Sequence, residues 1–79
     1  MRLDKYLKIS RLIKRRTVAN EACDGGHVTV NGAAAKASRE IKAGDVLEIR
    51  FGARATRVEV LSVSENAKKT DAPAMYREL

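Results

Sequence analysis

Apolar positions in the first ten residues recur at helical spacing. Leu3 and Leu7 stand four apart with Tyr6 beside them, which predicts a short helix over residues 2–9 with one stripe facing a core. Asp4 falls in the first turn, where the peptide dipoles favour an acid, and it precedes Lys8 by four in the better pairing order. Arg2 and Lys5 lie off the leucine stripe. Ser10 can cap or turn the chain before Arg11-Leu12-Ile13-Lys14, a run long enough for one turn only. A second helix is expected over about 16–24. There Ala19, Ala22 and Cys23 stand at i, i+3 and i+4, small enough for two helices to approach closely, with Val18 adjoining. Asp24-Gly25-Gly26 ends it, because glycine readily takes the left-handed conformation of a helix stop.

After the glycines the period drops from 3.6 to 2. Val28-Thr29-Val30 predicts a short strand, Asn31-Gly32 a hairpin turn, and Ala34–Ala37 a weak returning strand. Lys42-Ala43-Gly44-Asp45 is another turn. Over 46–51, Leu47, Ile49 and Phe51 share one face, and Glu48 and Arg50 the other. Gly52 to Ala55 turns again, and 57–63 forms a last strand. Its apolar phase slips between Val58/Val60 and Leu61/Val63, which predicts a bulge or a second buried face. Residues 64–71 are polar and read as loop. Asp71 is placed to cap a final turn entered at Pro73, with Met75, Tyr76 and Leu79 packing back on the body. The fold class is α+β, two N-terminal helices packed on a small, mostly antiparallel sheet.

A chain of 79 residues suits one domain, with a small core, since such chains bury only about 60% of their unfolded surface. Cys23 has no intrachain partner, and one Cys with one His (His27) cannot make a four-ligand zinc site. Cys23 reads as a small buried hydrophobe rather than a nucleophile, and a single thiol fits a reducing compartment. No apolar run exceeds that of Ala33-Ala34-Ala35, which excludes a helical span of about 20 such residues and a signal peptide. The expected setting is cytoplasmic.

Charge changes the picture more. The formal net charge is +6, and residues 1–16 carry all of it: Arg2, Lys5, Lys8, Arg11, Lys14, Arg15 and Arg16 against Asp4. Residues 17–79 balance their bases and acids completely. A localised basic surface on a neutral body is the footprint of a polyanion binder. A solvated basic face explains it less well. A membrane-surface helix explains it least, since the segment lacks Trp and Phe and its leucines are needed for the core.

Chemistry beyond binding is not legible. Gly25-Gly26 is a pair at a helix end, not a phosphate loop. His27 reads as a strand-opening residue within reach of RNA rather than a general base, and the acids are scattered. Neither an enzyme nor a cofactor is expected. The aromatics are only Tyr6, Phe51 and Tyr76, with no pair on one strand, so no stacking platform for splayed bases is predicted. Such a surface suits phosphate and shape recognition of folded RNA.

Four runs in order resemble the ribosomal-protein-S4-type RNA-binding domain. They are Arg2-Leu3-Asp4-Lys5-Tyr6-Leu7, Lys14-Arg15-Arg16-Thr17, Gly26-His27-Val28-Thr29-Val30-Asn31-Gly32 and Ile41-Lys42-Ala43-Gly44-Asp45. The resemblance covers roughly residues 1–52. It implies an S4-like fold (the alpha-L motif), with the domain over 1–63 and residues 64–79 as a C-terminal loop and short helical turn packing on it. Within the family, the length together with Ile9–Thr17 and Ala74-Met75-Tyr76 is most similar to members acting in ribosome-associated quality control. That similarity implies docking on large-subunit rRNA and on the peptidyl-tRNA of obstructed subunits, as a monomer. It also implies support of C-terminal alanine tailing beside an RqcH-type factor.

Carried over, the resemblance makes Arg2 and Arg16 the leading RNA contacts, with Lys5, Lys8, Arg11, Lys14 and Arg15 as phosphate contacts around them. Lys36 extends the surface or is simply solvated. Asp4 orients Arg2 or Arg16, meets a base or ribose, or only stabilises the first helical turn. Heat-shock S4 proteins, which bind free large subunits with a nascent chain, rank second because they carry a longer C-terminal extension. A targeting module for an rRNA- or tRNA-modifying enzyme and a module for an acidic protein partner are the remaining alternatives.

Overall fold

The computed structural model describes residues 1–64 and 69–79, the side chains of 69–71 excepted. Helical spacing at the amino terminus becomes α1, Leu3–Ile9, which buries Leu3, Tyr6 and Leu7. Its end differs from expectation. Arg11 adopts a left-handed backbone, φ 67°, and donates its N–H to the Lys8 carbonyl while the Ile13 N–H reaches Leu7 O. Residues 11–14 therefore form no helical turn. The reversal instead drops Ile13 into the core and feeds α2, Arg16–Asp24. For a residue with a Cβ the left-handed backbone costs roughly 1–2 kcal/mol.

Ala19, Ala22 and Cys23 are the buried face of α2. The left-handed residue that stops this helix is Gly26, φ 83°. Its N–H reaches Cys23 O and the His27 N–H reaches Ala22 O, the two bonds of a Schellman stop.

Five antiparallel strands follow, in the order β2-β1-β3-β4-β5. β1 is Val28–Val30, and it turns through Asn31 and Gly32, both with positive φ, into β2, Ala33–Ala34. The returning strand is shorter than the expected Ala34–Ala37. Ala37 donates its N–H to the Asp24 carboxylate and accepts from the Asp4 N–H, which peels the chain off the sheet and onto the helices. β3 is Val46–Phe51, and β4 is Arg54–Val60 rather than 57–63.

The phase slip after Val60 is neither a bulge nor a second buried face. The strand ends there, because the Leu61 and Ser62 N–H groups both turn to the Met75 carbonyl. A 3-10 helix, Lys69–Ala74, holds Pro73 inside it and leads to β5, Tyr76–Glu78, a strand that the sequence pattern did not predict. Met75 is buried and Tyr76 half-buried, whereas Leu79 is exposed rather than packed. The expected cap at Asp71 rests on a side chain outside the described residues, as do residues 65–68 of the expected 64–71 loop, whereas 69–71 belong to the 3-10 helix rather than to a loop.

One sheet face carries Val28, Val30, Leu47, Ile49, Val58 and Val60, all buried with Leu3, Tyr6 and Leu7 in the core cluster. Phe51 shares the phase of Leu47 and Ile49 but lies past the core's edge, half-exposed. The Tyr6 hydroxyl donates to Met75 O at 2.6 Å, fastening the C-terminal segment to α1. Burial pushes its phenol well above the usual range, so it remains a donor at any physiological pH.

Two stability measurements check this account. Tyr6→Phe should lower the unfolding free energy by about 1 kcal/mol in urea titration and speed amide exchange in β5, leaving the helices protected. Arg11→Gly should raise it by up to about 1 kcal/mol, the relief of the left-handed strain less the entropy glycine adds to the unfolded chain.

Candidate nucleic-acid interface

Asp4 lies in the first turn of α1 and only 2% of its surface is exposed. A buried carboxylate must be paired, and this one is saturated. Its Oδ1 accepts from the Lys5 N–H at 2.8 Å and from Arg2 Nε at 3.2 Å. Its Oδ2 accepts from Asn20 Nδ2 at 3.3 Å, and from Arg16 Nε and Arg2 Nη2, both at 3.4 Å. Burial opposes ionisation, but the hydrogen bonds from Asn20, Arg16 and Arg2 outweigh it and hold the carboxyl below its ordinary value.

The two arginine side chains are 48% and 47% exposed. One edge of each guanidinium is thus anchored on Asp4 while the rest meets solvent. Asp4 thus makes the contacts to Arg2 and Arg16 that its orienting reading requires, from a place in the first turn of α1. Asn20 was missed in the sequence. Its signal is the i, i+4 spacing from Arg16, which puts both on the α2 edge turned to α1. Asp4, Arg16, Thr17, Asn20 and Glu21 line one shallow concavity there.

The other expected contacts surround this centre unevenly. Lys5 is half-buried beside Asp4. Lys8, Arg11, Lys14 and Arg15 are exposed, with no carboxylate among the described residues at ion-pair distance. Lys36 is exposed and brought to the helices by the two backbone bonds of Ala37. Arg39, a base the sequence reading did not single out, adjoins α1 as well, since its carbonyl accepts from the Leu3 N–H. Arg11 stands apart. It opens onto a different groove, against Leu12 and the end of the sheet.

Part of the balanced body neutralises itself locally. On the sheet face away from the core, Arg50 Nε pairs with Glu48 at 2.9 Å and Arg77 with Glu59 at 2.5 Å. The Met1 ammonium pairs with Glu40. Cys23 is buried, and burial, with Asp4 and Asp24 nearby, pushes its thiol up to about 11, so it stays protonated and inert. Among the described residues no group of three or more His, Cys, Asp or Glu is placed to hold a metal ion, and no helix is long and apolar enough to cross a membrane.

The S4 domain model matches residues 1–47. A Streptococcus pneumoniae protein named RQC P-site tRNA stabilizing factor is 55% identical over 76 residues, 96% of this chain and 86% of its own length. A heat shock protein 15 homolog from Aeromonas salmonicida is 35% identical, over 99% of this chain but only 60% of its own. The trimeric structure of Vibrio cholerae heat shock protein 15 superposes with a TM-score of 0.91 at 31% identity, covering 100% of this chain and 81% of that one.

Because the folded Asp4 carboxyl is more acidic than its unfolded counterpart of about 3.9, its stabilisation is full above that value and fades as pH falls through the folded one. Asp4→Asn should therefore cost about 1–2 kcal/mol at pH 7, the half-exposed arginines keeping the figure low. The deficit should vanish on acidification. Urea titrations of both proteins between pH 7 and pH 2 measure it, and a deficit independent of pH would contradict the pairing.

Proposed function

The chain belongs to the S4 domain family, and we propose that it is a non-catalytic RNA-binding protein of ribosome-associated quality control. In this reading it docks on large-subunit rRNA and on the peptidyl-tRNA of an obstructed large subunit. The observation that carries it is the pair of half-exposed guanidiniums anchored on buried Asp4, within a segment that holds the whole net charge. Support for the tRNA as target comes from the name of the Streptococcus pneumoniae relative.

Anchoring has a physical use. A guanidinium already fixed on one edge gives up little further freedom when its remaining N–H groups meet phosphate oxygens, and it meets them in a defined direction. Arg2 and Arg16 would thus set the register on the RNA. Lys5, Lys8, Arg11, Lys14, Arg15 and Lys36 would act around them as point charges on the backbone. Residues 1–63 are the RNA-binding unit in this proposal, and 64–79 close it.

The protein would act in the cytoplasm as a monomer, holding the tRNA while an RqcH-type factor adds C-terminal alanines. A heat-shock-type role on free subunits is the second reading, favoured by the 0.91 TM-score and ranked below by the lower identity.

With about four to six phosphates engaged, RNA affinity should fall with salt at a log–log slope of roughly −3 to −5. Arg16→Glu, which also sets a carboxylate against buried Asp4, should abolish cosedimentation with large subunits. It should also lower the melting temperature by roughly 5–15 °C, the circular dichroism spectrum at about 25 °C staying that of the folded protein. Affinity purification of the tagged protein should recover large subunits with peptidyl-tRNA and a tailing factor. Recovery with free subunits, or with a modifying enzyme and free tRNA, would replace the assignment, as would complexes that survive nuclease.

A further inference from the structure

Arg11 lies outside the hydrogen bonds of Asp4 and lines a separate groove. With Leu12 it forms one wall of a groove whose floor is Ile49 and Thr56, neighbours across β3 and β4. Phe51 and Tyr76 line it as well, and Glu78 stands at its rim. The groove therefore gathers two of the chain's three aromatic residues from different strands, where the sequence offered no pair on one. Its volume, about 260 Å³, lies below the roughly 300–1,000 Å³ of sites for drug-sized molecules. A single ring system is the occupant of that scale.

We propose that this groove takes one unstacked nucleobase of the bound RNA. The proposal rests on the RNA-binding reading above and adds to it a site for a base, where that reading has only phosphates and shape. Phe51 is 47% exposed on an otherwise buried strand face, and an aromatic ring left in water in the same groove as an arginine is a stacking partner in waiting. Arg11 belongs to the same basic run as Arg16, has no carboxylate partner among the described residues, and is held at this wall by a strained left-handed backbone.

The charges orient the nucleotide. Glu78 repels phosphate and accepts hydrogen bonds, and Thr56 can donate or accept. The phosphate therefore sits on the Arg11 side, with the base edge toward Thr56 and Glu78. A base carrying an exocyclic amine fits this pair of partners best.

Two RNA hairpins of equal charge test the proposal, one fully paired and one with a single bulged adenosine, by fluorescence anisotropy at fixed salt. The wild-type protein should bind the bulged hairpin about five- to tenfold more tightly, the effect of one stacked base. Phe51→Leu should bring the two within about twofold of each other without changing affinity for the paired hairpin, and Phe51→Tyr should keep the preference. Arg16→Glu should weaken both hairpins alike.

A preference that survives Phe51→Leu, or no preference in a wild-type protein that binds both hairpins, overturns the proposal and leaves the groove to an apolar protein segment. Failure of the wild-type protein to bind either hairpin overturns the RNA reading and this site with it.

Discussion

A single buried carboxylate holds the amino-terminal end of this protein together. Asp4 sits where α1 meets α2, too enclosed to be solvated and too acidic to be neutral, so the chain must bring donors to it. Donors arrive from Arg2, from the Lys5 backbone, and from Arg16 and Asn20 on α2. The same contacts that satisfy the acid aim two guanidiniums outward. Stability and the proposed recognition are coupled here, since loss of the acid would both strand its donors and free the arginines to wander.

The rest of the architecture serves that junction. Small residues on α2 allow the close approach to α1, and the hydroxyl of Tyr6 ties α1 to the carbonyl of Met75 beyond four strands of sheet. Met75 O accepts from Leu61 and Ser62 too, so one carbonyl ends β4 and secures the segment that becomes β5. On the outer sheet face Arg50 pairs with Glu48 and Arg77 with Glu59. The excess charge of the chain as a whole is left to the amino-terminal segment, whose bases outnumber its acids seven to one.

Much of the fold was legible in the sequence because it follows from local periodicity. Both helices, the Asn31-Gly32 hairpin and β3 lie where spacing and turn residues put them. The departures share a cause. The returning strand ends early because the Asp24 carboxylate takes the N–H of Ala37 while the Asp4 N–H takes its carbonyl. β4 ends early because a distant carbonyl captures its last amides. Arg11 takes a glycine's conformation because burying Ile13 repays the strain. Each is decided by a partner far away in the chain, which no pattern of neighbours encodes.

The candidate site divides in the same way. Sequence alone determined that the first sixteen residues carry the net charge, that they form short helical elements with an apolar stripe, and that no stacking pair occurs within a strand. Charge and period are sums over local residues, so they can be read without coordinates. Only the tertiary structure decided that Asp4 is enclosed, that Asn20 completes its shell, that Arg11 faces a separate groove, and that Phe51 and Tyr76 from different strands line it. Those outcomes depend on which surfaces remain uncovered after the helices settle on the sheet, and burial is a property of the whole packed chain.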